Sequence, residues 1–147
     1  MATKQRLTGS LEDYLEAIYH LTEGQGFARA KDVAERLAVH MPSVTGALRA
    51  LGARGLVNYE PYAVITLTPE GKTAARQLVR SHEALKTFLS RILGLPETEA
   101  DENACRMEHA ISPHTLSHLI DFIEFVDQAP EVRRAWLEQF AAKSRKK

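Results

Sequence analysis

The 147-residue chain is 44% apolar and 26% charged with no net charge, the composition of a soluble globular protein and not of a disordered one. No uninterrupted apolar run approaches the roughly 18 residues of a membrane span, and the single cysteine, Cys105, excludes an intramolecular disulfide framework. Neutrality hides an asymmetry: residues 1–73 carry 8 basic and 8 acidic groups, residues 74–130 carry 5 and 9, and residues 131–147 carry 6 and 2. The acidic middle attracts cations. Residues 1–7 include basic side chains with no apolar stretch after them, so no signal peptide, no membrane partner and a cytoplasmic setting are expected.

Taken in order, the spacing of Leu11, Leu15, Ile18 and Leu21 predicts a helix over 11–22, with Ser10 and Asp13 as a cap-like start and Gly24 and Gly26 as its end. A short helix follows over 30–37. A third begins near Pro42, a residue suited to a first helical position, and stops at Gly55. Two short helices joined by a tight turn after an opening helix form a helix-turn-helix. The β-prone runs 56–59 and 64–67 flank Glu60-Pro61-Tyr62-Ala63 and read as a hairpin, which makes a winged helix-turn-helix. Beyond it the periodicity is helical throughout. A long helix over 69–93 is broken by Gly94 and Pro96, another covers 99–110, Ser112-Pro113 starts one running to 126, and a last one spans 131–142. The expected fold is mainly α: a winged helix-turn-helix over residues 1–73, an all-helical metal-binding and dimerisation domain over 74–130, and a basic tail over 131–147.

Chemistry-bearing residues cluster on these helices. Asp13, Glu16 and His20 share one face of the first helix, and Cys105, Glu108 and His109 share one face of a later one. His82 lies on the long helix between them. Carboxylates, imidazoles and a thiolate converging from separate helices make a site for a divalent transition metal. No His-Glu-x-x-His pair, Gly-x-Ser-x-Gly elbow or phosphate-cradling glycine loop is present, so an enzyme is not expected. A small metallohydrolase with a winged-helix lobe is disfavoured for want of a general base beside the ligand set.

The stretches Leu11-Glu12-Asp13-Tyr14-Leu15-Glu16-Ala17-Ile18-Tyr19 and Ala104-Cys105-Arg106-Met107-Glu108-His109-Ala110-Ile111-Ser112 resemble the diphtheria toxin repressor family. Asp32-Val33-Ala34, Ser43-Val44-Thr45 and Leu67-Thr68-Pro69-Glu70-Gly71 match in type and order, over about residues 8–126. The resemblance implies a metal-dependent transcriptional repressor of iron or manganese homeostasis. It implies that Asp13, Cys105, Glu108 and His109 form a primary metal site, and that Glu16 and His82 serve a second metal in the manganese branch. Asp13 is the manganese-branch residue and Cys105 the iron-branch one. Lys86 and Asp101 stand where the iron branch has Glu and His, so the resemblance does not extend to the iron-type ancillary site. The chain is similar to compact members without an SH3-like domain. Counting hard donors (Asp13, Glu16, Glu108 and His109) against one thiolate favours Mn²⁺, with Fe²⁺ a close alternative.

The third helix is expected to enter the major groove of double-stranded DNA with its N-terminal residues nearest the bases. Pro42, Ser43, Thr45, Gly46 and Arg49 lie there. Ser43 and Thr45 suit phosphates, and Arg49 suits phosphate or guanine. Gly46 occupies a position where relatives often carry a longer polar side chain. Arg29 and Lys31 are placed for backbone contact, whereas the wing, without Lys or Arg, contributes little. A homodimer would present two such helices to a pseudo-palindromic operator, with part of the apolar faces around Phe88, Ile92, Leu116, Leu119 and Ile123 as its contact. The competing expectation is a metal-independent winged-helix regulator that uses Cys105 as a redox switch.

Overall fold

The computed structural model describes residues 6–145. Lys4, Lys146 and Lys147, counted in the charge balance, lie outside the described residues, as does most of the segment considered for a signal peptide. Among the described residues are seven α-helices and one two-stranded antiparallel sheet. None of these helices is long and apolar enough to cross a membrane. Two compact units divide between Val79 and Arg80, within a single helix. The sequence-based boundary at 73/74 falls earlier in that helix.

The first unit opens with α1 (Gly9–Gln25). Its cap is Thr8 and not Ser10: Thr8 is extended, and its Oγ1 accepts the Leu11 N–H at 3.3 Å, while Ser10 is already helical. α1 buries Tyr14, Leu15, Ala17 and Ile18 and ends at Gly26, whose φ of +81° is open to glycine because it has no Cβ. Gly24 lies inside the helix. α2 (Ala30–Leu37) and α3 (Met41–Ala53) follow, separated by Ala38 in the left-handed region. Leu15, Ile18, Val33, Val44, Leu48, Leu51 and Ile65 are wholly shielded from solvent and knit the three helices to the wing.

The wing strands are shorter than the β-prone runs. β1 (Val57–Asn58) and β2 (Thr66–Leu67) pair Val57 with Leu67 and Asn58 with Thr66. Ile65 pairs instead with Ala28, each donating its N–H to the other's carbonyl at 2.8 Å. Both residues are fully buried, so the chain entering α2 takes the ladder positions that alternation assigned to the hairpin.

α4 (Pro69–Thr87) starts hard against the wing. Thr68 Oγ1 donates to the Gly55 carbonyl at 2.6 Å and accepts the Gly71 N–H at 3.0 Å. A Cβ on Gly71 would stand 1.8 Å from the Leu56 carbonyl oxygen, so only glycine permits this approach.

In the second unit the long helix does not stay α-helical to residue 93. Phe88–Ile92 form one π-helical turn, closed by the Leu93 N–H on the Phe88 carbonyl at 3.1 Å. α5 (Glu97–Ala110) begins two residues before expected, with Pro96 at its N-cap position. α6 (Pro113–Asp127) is capped by Ser112, whose Oγ accepts the Thr115 N–H at 3.3 Å. α7 (Pro130–Ser144) buries none of its residues. The core of this unit is Leu85, Leu89, Ala100, Ala104 and Ile123, with Phe88, Leu116 and Leu119 packed against it. Of the apolar faces assigned in part to a dimer contact, Ile123 lies in this core, and Phe88, Leu116 and Leu119 are partly buried against it. The large apolar side chains this unit leaves exposed are Leu93, then Phe122 and Phe125 of α6, and Val132, Trp136 and Phe140 of α7.

Candidate metal centre and nucleic-acid interface

In the second unit α4 and α5 bring four of the expected ligands together. The i, i+3, i+4 spacing puts Cys105, Glu108 and His109 on one face of α5, with their ligand atoms within 4.8 Å of one another. Cys105 Sγ is 3.7 Å from His109 Nε2, and His109 Nε2 is 3.6 Å from Glu108 Oε1. From α4, His82 directs Nδ1 at the other Glu108 oxygen, 3.5 Å away. Glu108 is only 2% exposed, a depth at which a carboxylate needs cationic company. Each of its oxygens faces an imidazole. Imidazole, carboxylate and thiol together fit a first-row divalent cation.

Asp101, one turn before Cys105, was not among the expected ligands. It accepts a hydrogen bond from His82 Nε2 at 2.9 Å and lies 3.3 Å from Lys86 Nζ. Asp101 thereby fixes which His82 nitrogen is turned toward Glu108. The Glu108 carboxylate beside it and then the hydrogen bond to Asp101 hold the His82 pKa up at about 9, against the opposing effect of burial. His82 in turn draws the Asp101 carboxyl below its ordinary value, with help from Lys86, and Asp101 raises Lys86. The signal available beforehand was the i, i+4, i+7 run of Asp101, Cys105 and Glu108 on one helical face.

In the first unit Asp13 and Glu16 stand one turn apart on α1, both partly exposed. His20 lies 3.6 Å from Glu23 and is occupied locally.

On α3, Pro42, Ser43, Gly46 and Arg49 are exposed, while Val44, Ala47 and Leu48 anchor the opposite face. The Thr45 hydroxyl donates back to the Met41 carbonyl at 3.2 Å, which removes its proton from service to a phosphate. No ion pair holds Arg49 among the described residues. It lines a groove of about 640 Å³ with Gly52 of α3 and Asn58, Glu60 and Pro61 of the wing. Arg29 is exposed and stacks its guanidinium 5.8 Å from the Phe27 ring centre. Lys31 pairs with Glu35 at 3.9 Å, an exposed contact that a phosphate can displace.

Known proteins resemble both units. Residues 6–65 match the family described as iron dependent repressor, N-terminal DNA binding domain, and residues 68–137 match its metal binding and dimerisation domain. The HTH-type transcriptional regulator MntR of Bacillus pumilus is 40% identical over 124 residues, covering 84% of this chain and 85% of that protein. MntR of Bacillus subtilis is 38% identical over 121 residues, 82% of this chain and 84% of that one. A manganese-dependent transcriptional repressor solved in complex with manganese superimposes with a TM-score of 0.69 at 33% identity, over 78% of this chain. The chain spans 53% of the length of that solved structure.

Proposed function

The chain belongs to the iron-dependent repressor family of metal-dependent DNA-binding transcriptional regulators, and we propose that it acts in the cytoplasm as a homodimer that reads a pseudo-palindromic operator when loaded with Mn²⁺, Fe²⁺ being the close alternative. The observation that carries this is the gathering of His82, Cys105 and His109 around the buried Glu108 carboxylate. Asp13, Cys105, Glu108 and His109 hold one cation, and Glu16 and His82 a second. When bound, the cation supplies the positive charge that these carboxylates call for. Asp101 keeps His82 turned toward Glu108. Because the proposed ligands are drawn from both units, occupancy selects the conformations competent to bind DNA. DNA reading falls to residues 1–73, metal binding and dimerisation to residues 74–130, and residues 131–147 add most of α7.

Manganese is favoured because Asp13, Glu16, Glu108 and His109 offer hard or borderline donors against the one thiol of Cys105. The MntR relatives and the manganese-dependent repressor support the same choice. At the DNA, Ser43 takes a phosphate, Arg49 a phosphate or a guanine edge, and Arg29 and Lys31 the backbone. Pro42 and Gly46 keep the front of α3 slim enough to enter the groove. Phe122, Phe125, Trp136 and Phe140 supply the apolar surface for the second copy. The Cys105 redox-switch alternative is not favoured, because the thiol is turned into the ligand cluster toward His109.

Operator binding measured by anisotropy, with chelator and with added Mn²⁺, tests this proposal. Tight binding is expected only with metal. Glu108→Ala and His109→Ala should remove the metal response and keep the fold. Equal affinity with chelator and with Mn²⁺ would overturn it.

A further inference from the structure

We infer that Tyr62, at the tip of the wing, is a DNA-contacting residue that lies against the minor groove next to the major-groove site of α3. The inference rests on the operator-binding proposal above and deepens it. From Asn58 to Val64 the wing holds no Lys or Arg and one acidic residue, Glu60, so it cannot draw phosphates by charge.

Its tip is instead built around a tyrosine in an unfavourable conformation. The turn Glu60–Pro61–Tyr62–Ala63 is closed by the Ala63 N–H on the Glu60 carbonyl at 3.1 Å. Proline at the second position locks its own φ near −65° and excludes the mirror-image turns. Tyr62, third in the turn, has φ +64°, which leaves type II, whose third position favours glycine or asparagine. The tyrosine carries the strain of that backbone and gains no burial within the chain, because its side chain is fully exposed. No hydrogen bond, ion pair or ring contact of its own offsets the strain among the described residues. Strain kept at an exposed tip is expected where a ligand offsets it.

The ligand follows from position within this unit. The wing forms one wall of the groove whose other wall is α3. With α3 in a major groove about 12 Å wide, the wing falls on the flanking sugar–phosphate wall and the narrower minor groove. A phenol suits that place without a cation. Its ring packs on deoxyribose and its hydroxyl donates to a phosphate or to the base acceptors on the groove floor. Val64, 46% exposed on the same wing, adds apolar contact.

The test uses the full chain loaded with Mn²⁺ and a duplex enriched from a random pool by the wild-type protein. Tyr62→Gly removes the side chain and the strain together. It should melt at or above the wild-type temperature yet bind the duplex about fivefold or more weakly. Replacing G·C by inosine·C pairs in the flanks alters only the minor groove. This should change wild-type affinity and leave Tyr62→Gly unaffected. Unchanged affinity of Tyr62→Gly, with wild type binding normally, overturns this inference and leaves the operator proposal standing. Failure of wild type to bind any duplex with metal overturns both. A lower melting temperature, or loss of the dimer on sedimentation, would also overturn it, by making Tyr62 a structural or copy-contact residue.

Discussion

His82 Nε2 donates to Asp101 Oδ1 across 2.9 Å, while His82 Nδ1 faces Glu108 3.5 Å away. A carboxylate that orients a ligating imidazole commonly influences metal affinity about ten- to a hundredfold. Asp101→Asn should therefore weaken the His82-dependent binding step by about that factor in a calorimetric Mn²⁺ titration, with the fold retained. Isotherms identical to wild type would mean that Asp101 serves only Lys86.

The same pair sets a pH dependence in the chelator-treated protein. The His82 pKa is raised from 6.5 to about 9 in the folded state. A raised folded pKa stabilises fully below the unfolded value and is lost as pH climbs through the folded one. The melting temperature of metal-free protein should accordingly fall between about pH 6.5 and 9, and His82→Gln should flatten that slope. A wild-type profile level across this window would show that His82 keeps its ordinary titration.

Gly71 offers a test in which helix propensity and packing predict opposite signs. In an exposed helix interior, Gly→Ala stabilises by about 1 kcal/mol. Here the new Cβ meets the Leu56 carbonyl oxygen at 1.8 Å, backbone that cannot step aside cheaply. Overpacking of this kind costs about 1–3 kcal/mol. Denaturant melts of Gly71→Ala should show net destabilisation and weaker operator binding.

Metal choice is expected to follow the hybrid of Asp13 with Cys105. Cys105→Glu should sharpen the preference for Mn²⁺, and Asp13→Met should move it toward Fe²⁺. The quantity to compare is activation of DNA binding at buffered free metal, since affinity alone favours later metals. Wild type activated by Fe²⁺ at far lower free metal than Mn²⁺ needs would reverse the assignment.

Much of this was legible before any coordinates. Leu11, Leu15, Ile18 and Leu21 mark one helix face, and Ser112-Pro113 marks a start that Ser112 indeed caps. Cys105, Glu108 and His109 had to share a face because i, i+3 and i+4 always do. What escaped was long-range. The Ala28–Ile65 pairing takes ladder positions that local alternation gave to the hairpin. Ile123 and its neighbours serve the inner packing of the second unit, leaving Phe122, Phe125, Trp136 and Phe140 outside. Periodicity names an apolar face and not what covers it.

The helical succession, the winged helix-turn-helix and the donor types available to a metal are readable from the chain alone, because each depends on neighbours close along it. Folding in three dimensions sets the rest: Asp101 holds His82, Glu108 is buried between imidazoles, Gly71 is pressed onto Leu56, and Tyr62 stands exposed with positive φ. Each of these sets a side chain or backbone against a group remote in sequence, or leaves it with none, and no local pattern encodes that distance.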